Sequence, residues 1–181
     1  GVSKDGCIRP ETSLESMSGL KPAFDKDGVV TAATSSPLTD GAAAVIVCSE
    51  DYAKKNNLEI LAFIRGMAIS GCSPEVMGIG PVLSSKKALE RAGIKLEDID
   101  VIEMNEAFAA QSLACVKELG VDMSKLNIHG GAISMGHPLG ASGARITGKA
   151  ASLLKETGKR YALSTMCVGG GQGCATVLER A

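Results

Sequence analysis

Asn127-Ile128-His129-Gly130-Gly131-Ala132-Ile133-Ser134-Met135-Gly136-His137-Pro138-Leu139-Gly140-Ala141-Ser142-Gly143 fixes one histidine inside a glycine-dense loop that runs straight into a helix. Glycine lets the backbone take positive φ and approach a ligand closely, Pro138 stiffens the turn after the imidazole, and the first turn of the helix offers unpaired N–H groups. This design presents a reactive group rather than packing one. A lone histidine is usually a satisfied structural residue; the glycines around His137 reverse that weighting. An imidazole with an ordinary pKa of about 6.5 can take a proton from a thiol and return it, which suits His137 to act as general base for a cysteine nucleophile.

Outward from this loop, apolar periodicity alternates between strand and helix. Ala141 to Glu156 reads as a helix stopped by Gly158, and Tyr161 to Cys167 and Cys174 to Glu179 read as strands joined by Val168 to Gly173. Upstream, Asp100 to Met104 is a short strand. Glu106 to Leu119 is a helix with Phe108, Leu113 and Val116 near one face and Gly120 as its stop. Leu61 to Ser70 is a long strand and Pro81 to Arg91 a helix closed by Gly93. Ala42 to Cys48 reads as a buried strand, followed by a short helix from Ser49 to Lys55. Residues 1 to about 37 carry breakers such as Arg9-Pro10, Lys21-Pro22 and Ser36-Pro37, so loop is expected there with one short helix near Ser13 to Met17. The class is α/β, with a mixed sheet packed between or beneath helices.

Composition narrows the function. A formal net charge of −1 without a basic stripe, with three Phe and two Tyr, disfavours nucleic-acid binding. No apolar run reaches the roughly 18 to 20 residues of a membrane span, and no charged-then-apolar leader opens the chain, so a cytoplasmic location is expected. The six cysteines, at 7, 48, 72, 115, 167 and 174, form no CxxC pair, so reduced thiols are expected. Neither the histidines nor Cys167 and Cys174 have the spacing of usual zinc ligands, and no metal site is expected. Glycine, 22 of 181 residues, exceeds the average of about 7% because it concentrates in two tracts, the His137 loop and Cys167-Val168-Gly169-Gly170-Gly171-Gln172-Gly173.

That second tract is the next candidate. Cys167 closes an apolar strand and opens a glycine run whose N–H groups could bind an oxyanion; its bland reading is a small buried hydrophobe. The residues alone do not choose between nucleophile and acid/base partner for this thiol. Asn105 precedes Glu106-Ala107-Phe108-Ala109-Ala110 at a strand-to-helix junction. It reads as an N-cap, and its amide could also hold a water against a substrate oxygen. Phe108 is core or the apolar wall of a ligand site. Thr34 to Gly41 is a polar turn.

The motifs Asn105-Glu106-Ala107-Phe108, Gly136-His137-Pro138 and Cys167-Val168-Gly169-Gly170-Gly171 occur in the order and spacing of the thiolase family, and the chain resembles the C-terminal half of a thiolase from Arg9-Pro10-Glu11-Thr12 to its end. It looks closest to the bacterial degradative 3-ketoacyl-CoA thiolases. The resemblance implies the second βαβαβαββ half of a five-layered α/β/α/β/α sandwich. Residues 1–37 would end the family's loop domain, 38–58 would supply the last strand and helix of the first half, and 59–181 would form the C-terminal domain. It implies thiolytic cleavage of a 3-ketoacyl-CoA by CoA, or the reverse Claisen condensation. The nucleophilic cysteine would come from the first half, so the chain alone is expected to be inactive.

Carried over residue by residue, His137 would activate that cysteine and contribute its other nitrogen to one oxyanion hole, and Asn105 would hold a water completing it. Cys167 would shuttle the α-carbon proton, the Gly169 N–H would serve the second oxyanion hole, and Ser36 and Phe108 would line the pantetheine tunnel. His129 stands where the family commonly has asparagine, which points to a structural role. CoA and acyl-CoA would be substrates, with no covalently bound cofactor, and a homo-oligomer is implied. Two other readings remain: a non-catalytic CoA-binding or assembly module, and a self-contained acyltransferase with Cys167 as nucleophile and His137 as base.

Overall fold

The computed structural model describes residue 1 and residues 3–181. In chain order the elements are α1 (Leu14–Ser18), α2 (Glu50–Lys55), β1 (Ala62–Gly71), α3 (Gly80–Ala92), β2 (Val101–Met104), α4 (Ala109–Leu119), α5 (Ala132–Met135), α6 (Leu139–Thr157), β3 (Tyr161–Val168) and β4 (Gln172–Arg180). The strands form one mixed sheet in the order β1-β4-β3-β2; β4 runs antiparallel to both neighbours, and β2 runs parallel to β3.

Successive strand residues point to opposite faces, and the sequence supplies apolar side chains to both. Ala68, Ile102, Met104, Leu163, Ala175 and Val177 pack with Val82 and Leu89 of α3 and Cys115 of α4. Their chain neighbours Val101, Ala162 and Leu178 pack on the opposite face against Ala150, Leu153 and Leu154 of α6. The result is a helix/sheet/helix sandwich. α6 lies over β2, β3 and β4, leaving Met67 and Ile69 of β1 exposed on that face. The position of a further strand between α4 and α6 is reduced to one parallel bridge, Ile102 to Leu126. Asn127 donates its N–H to the Ile102 carbonyl at 2.8 Å, and its φ of 44° then turns the chain away.

Three local expectations fail, each for a physical reason. Ala42 to Cys48 forms no strand: it has no neighbouring strand to pair with among the described residues, and Ile46 is 82% exposed. The segment instead passes over α6, where Val45 lies against Gly148. α4 begins at Ala109 rather than Glu106, and Asn105 is not its cap. The Ala107 carbonyl is taken by the Ser36 N–H at 3.0 Å and the Ala109 N–H donates to Thr34 at 2.8 Å, so residues 107–109 pair with 34–36 before the helix starts. Leu113 is exposed; the buried face of α4 carries Ser112 and Cys115 instead.

Alternation also sends Glu103 of β2 toward α6, where it is 1% exposed and its Oε1 has no hydrogen-bond partner. Burial pushes its pKa up to about 7, against the pull of Arg145 and Lys149 on α6. Because the folded pKa lies above the unfolded value, the native state binds the extra proton, and stability falls as pH rises from about 4.5 through 7. Replacing Glu103 by Gln should therefore raise stability at pH 8 by on the order of 3 kcal/mol and leave it little changed near pH 4.5. Denaturant unfolding of both proteins at the two pH values checks this; an advantage independent of pH would contradict it.

Candidate active site

Parallel pairing of β2 with β3 gathers the site. Met104 is opposite Thr165, and the Asn105 N–H donates to the Thr165 carbonyl at 3.0 Å, so the C-terminal ends of both strands reach the same edge of the sheet. Asn105 stands at one end and Cys167 two residues beyond Thr165 at the other. Ligands in open α/β sheets bind outside the carboxyl ends of the strands.

By strand alternation Asn105 faces α6, where the helix entry delivers His137. Asn105 is fully buried, its Nδ2 lies 3.3 Å from His137 Nε2, and its Oδ1 has no hydrogen-bond partner. The other ring nitrogen, Nδ1, is 2.6 Å from the hydroxyl of Ser142, one turn into α6, so it is engaged within the fold rather than turned to an oxyanion hole. Burial and the charge of Arg145 push the His137 pKa below the usual imidazole value, which favours the neutral ring at pH 7.

The backbone of the loop is fixed just as tightly. The His137 N–H donates to Thr39 Oγ1 at 3.2 Å, and Leu38 pairs with His137 in a parallel bridge. Gly136 has φ 99°, and a Cβ there would run into Thr39 and Cys7, so no other residue fits before the histidine. On the opposite flank Glu106 accepts from Asn127 Nδ2 at 2.7 Å and from the Ile133 N–H at 3.2 Å, tying the Asn105 segment to the glycine loop. A groove of about 470 Å³ opens beside the imidazole, lined by Leu38, Thr39, Asp40, His137 and Leu139.

Cys167 points to the other face of the sheet, toward α3 and α4. It is buried, and burial first, with the nearby Cys72 thiol adding to it, raises its pKa; Cys115 beside it is pushed to about 11. A thiol held protonated in this way is suited to carry a proton rather than to attack as a ready thiolate. No hydrogen bond joins Cys167 to His137 among the described residues. Gly169 lies in the exposed β3–β4 hairpin, where its carbonyl accepts from Gln172 Nε2 at 3.2 Å.

Ser36 and Phe108 sit together, since Ser35 bridges Phe108 and the Ser36 hydroxyl donates to the Ala107 carbonyl at 3.1 Å. Both are half-buried beside the groove residues rather than in its lining. His129 lies apart, at 2.8 Å from Lys149 Nζ. Sequence reasoning passed over Ser142, Thr39 and Asn127. Their only signals were hydroxyls and an amide near the glycine loop, which turns and caps explain equally well. Among the described residues no group of three or more metal-ligating side chains is arranged to hold a metal, and no helix is long and apolar enough to cross a membrane.

Sequence and fold both match known proteins. The thiolase C-terminal domain family matches residues 58–180 and the thiolase N-terminal domain family residues 1–51. A 3-ketoacyl-CoA thiolase of Vibrio parahaemolyticus is 55% identical over 180 residues, 97% of this chain and 46% of that protein. The crystal structure of human mitochondrial 3-ketoacyl-CoA thiolase superposes with a TM-score of 0.96 at 50% identity, covering 98% of this chain and 45% of that one. The same human enzyme in complex with CoA gives 0.96 at 49% identity, covering 99% and 46%. The chain thus spans about half the length of the relatives it matches.

The burial of Cys167 and Cys115 against the exposure of Cys48 sets an order of reactivity. Brief treatment with iodoacetamide at pH 7, followed by peptide mapping, should label Cys48 first and leave Cys167 and Cys115 largely unmodified. Preferential labelling of Cys167 would mean a reactive thiolate and would revive Cys167 as a nucleophile.

Proposed function

The chain belongs to the thiolase family, and we propose that it is the C-terminal part of a 3-ketoacyl-CoA thiolase in which His137, Asn105 and Cys167 serve a nucleophilic cysteine supplied by the N-terminal half. The reaction is acyl transfer: thiolytic cleavage of a 3-ketoacyl-CoA by CoA to acyl-CoA and acetyl-CoA, or its reverse, in fatty acid breakdown. The observation that carries this reading is a neutral, depressed-pKa imidazole bonded to a buried asparagine, with a groove beside it and, among the described residues, no thiol hydrogen-bonded to it. A general base and its nucleophile stand within hydrogen-bond reach; His137 has the form of a base waiting for a partner. The same observation weighs against the self-contained Cys167/His137 acyltransferase. A purely binding module has no use for a tuned base.

In this reading His137 takes the proton of the incoming cysteine, and Asn105 Oδ1 holds a water that helps stabilise the ketone oxygen as charge develops. Cys167 returns a proton to the acetyl α-carbon as the carbon–carbon bond breaks and receives it back in condensation. The Gly169 N–H stabilises the oxyanion when CoA attacks the acyl-enzyme. Ser36 and Phe108 wall the pantetheine channel, and CoA and acyl-CoA are substrates with no prosthetic group. Residues 1–37 belong to the loop domain, 38–58 return to the first half, and 59–181 are the second half. Exposed Ile46, Val47, Met67 and Ile69 are the kind of apolar surface that a first half would cover, completing a five-layered sandwich in a cytoplasmic homo-oligomer.

Joined to the N-terminal half of the Vibrio parahaemolyticus relative, the chain should cleave acetoacetyl-CoA in the presence of CoA. His137→Ala and Cys167→Ala should each lower kcat by about 10²- to 10⁴-fold. The chain alone should show no acyl adduct by intact mass after incubation with acetyl-CoA. Near-normal turnover in either variant, or an acyl adduct on Cys167, sinks the assignment.

A further inference from the structure

The hydroxyl of Ser142 has one proton and two neighbours. It lies 3.0 Å from the Pro138 carbonyl and 2.6 Å from His137 Nδ1. A carbonyl only accepts, so the Ser142 proton goes to Pro138, and toward the imidazole the Ser142 oxygen acts as acceptor. Nδ1 therefore carries the ring proton. The other end of the ring gives the same answer independently: Asn105 Nδ2, 3.3 Å from Nε2, only donates, so Nε2 is bare. The chain of donors runs in one direction, from Asn105 Nδ2–H to Nε2, from Nδ1–H to Ser142, and from Ser142 to Pro138. It leaves Asn105 Oδ1, beside the imidazole, buried and without a partner.

We propose that Ser142 is a positioning residue that holds the His137 proton on Nδ1, so that Nε2 stays unprotonated, accepting from the Asn105 amide and able to take a proton, while Asn105 presents its oxygen to the site. The opposite order would require Ser142 to withdraw its proton from Pro138 and Asn105 to turn its amide over. Both side chains are fully buried, and the turned amide would direct Nδ2 to the place where Oδ1 now finds no partner. Ser142 thus acts on both ends of the site through one ring. The role rests on the thiolase reading for its chemistry: the S–H bond of the attacking thiol breaks, the N–H bond forms at Nε2, and the Nδ1–H bond to Ser142 supports the resulting imidazolium.

The proton order is read directly from long-range ¹H–¹⁵N spectra of the chain above pH 8. His129→Asn removes the second of the two imidazoles. The native ring should show a protonated Nδ1 and a bare Nε2, and Ser142→Ala should move the proton toward Nε2. In the protein joined to the N-terminal half, Ser142→Ala should lower kcat by about 10²-fold with KM for CoA unchanged, a split that general loss of structure would not produce. A native proton on Nε2, or a Ser142→Ala variant with unchanged tautomer and unchanged kcat, overturns the proposal; the native spectrum decides by itself if the variant does not fold. The expected spectra without turnover in the joined protein would leave the proton order standing and remove the thiolase reading instead.

Discussion

The parallel pairing of β2 with β3 is the constraint on which the site depends. It is fixed at its entry by Asp100, whose carboxylate accepts from the Arg160 and Tyr161 N–H groups at 2.9 and 3.0 Å. Along its length it is fixed by side chains buried on both faces. A slip of one residue would turn Ile102 and Met104 out of one core and Val101 out of the other. It would also rotate Asn105 away from α6 and break its bond to His137. The register that stabilises the sheet is therefore the register that aims the site, and the two cannot vary independently.

The same coupling explains why the site tolerates buried polar groups. Asn127 accepts the Met104 N–H and donates to the Met104 carbonyl, both at 2.9 Å, completing the exposed edge of β2 one residue before Asn105. It then donates to Glu106, whose carboxylate occupies the space where a side chain on Gly131 would stand. Each such bond contributes about 1 kcal/mol net, and leaving one partner buried and unmade costs about 1 to 3 kcal/mol. The larger penalty for breaking than gain for making gives the loops a single arrangement. Around the imidazole, Asn105 Nδ2 and the Ser142 hydroxyl are both engaged, while Asn105 Oδ1 is buried with no hydrogen-bond partner.

Most of the architecture was legible because the strands bury both faces and the helices end at glycines. The extents of α3 and α6 and of β1, β3 and β4 follow from periodicity, with Gly93, Gly120 and Gly158 as stops. What periodicity misjudged depended on distant partners. Ala42 to Cys48 has strand composition, and composition cannot state whether a neighbouring strand is there to pair with it. Glu106 to Phe108 has helix composition, but Ser36 and Thr34 claim its backbone. At the site, His137 stood out through its glycines, and Asn105 through its place after an apolar strand, although as a cap rather than as a buried ligand of the imidazole. Ser142 was not legible, since a serine in the first turn of a helix is ordinary and only the 2.6 Å contact distinguishes it.

The division of the site between two faces of the sheet bears on the chemistry. His137 and Asn105 approach the strand ends from the α6 side, where Arg145 adds positive potential; Cys167 approaches from the α3/α4 side, near the thiols of Cys72 and Cys115. One environment favours a neutral imidazole and the other a protonated thiol, so the two groups are set apart by what surrounds each rather than by direct contact. Two groups tuned in this way work on one reaction only if the reacting atoms lie between them, at the common edge where β2 and β3 end. Among the described residues the His137 ring is bonded to Asn105 and Ser142, and no thiol is bonded to it. In the function proposed above, the attacking atom therefore arrives from outside the fold described here and stands within reach of Nε2, on the groove side of the imidazole.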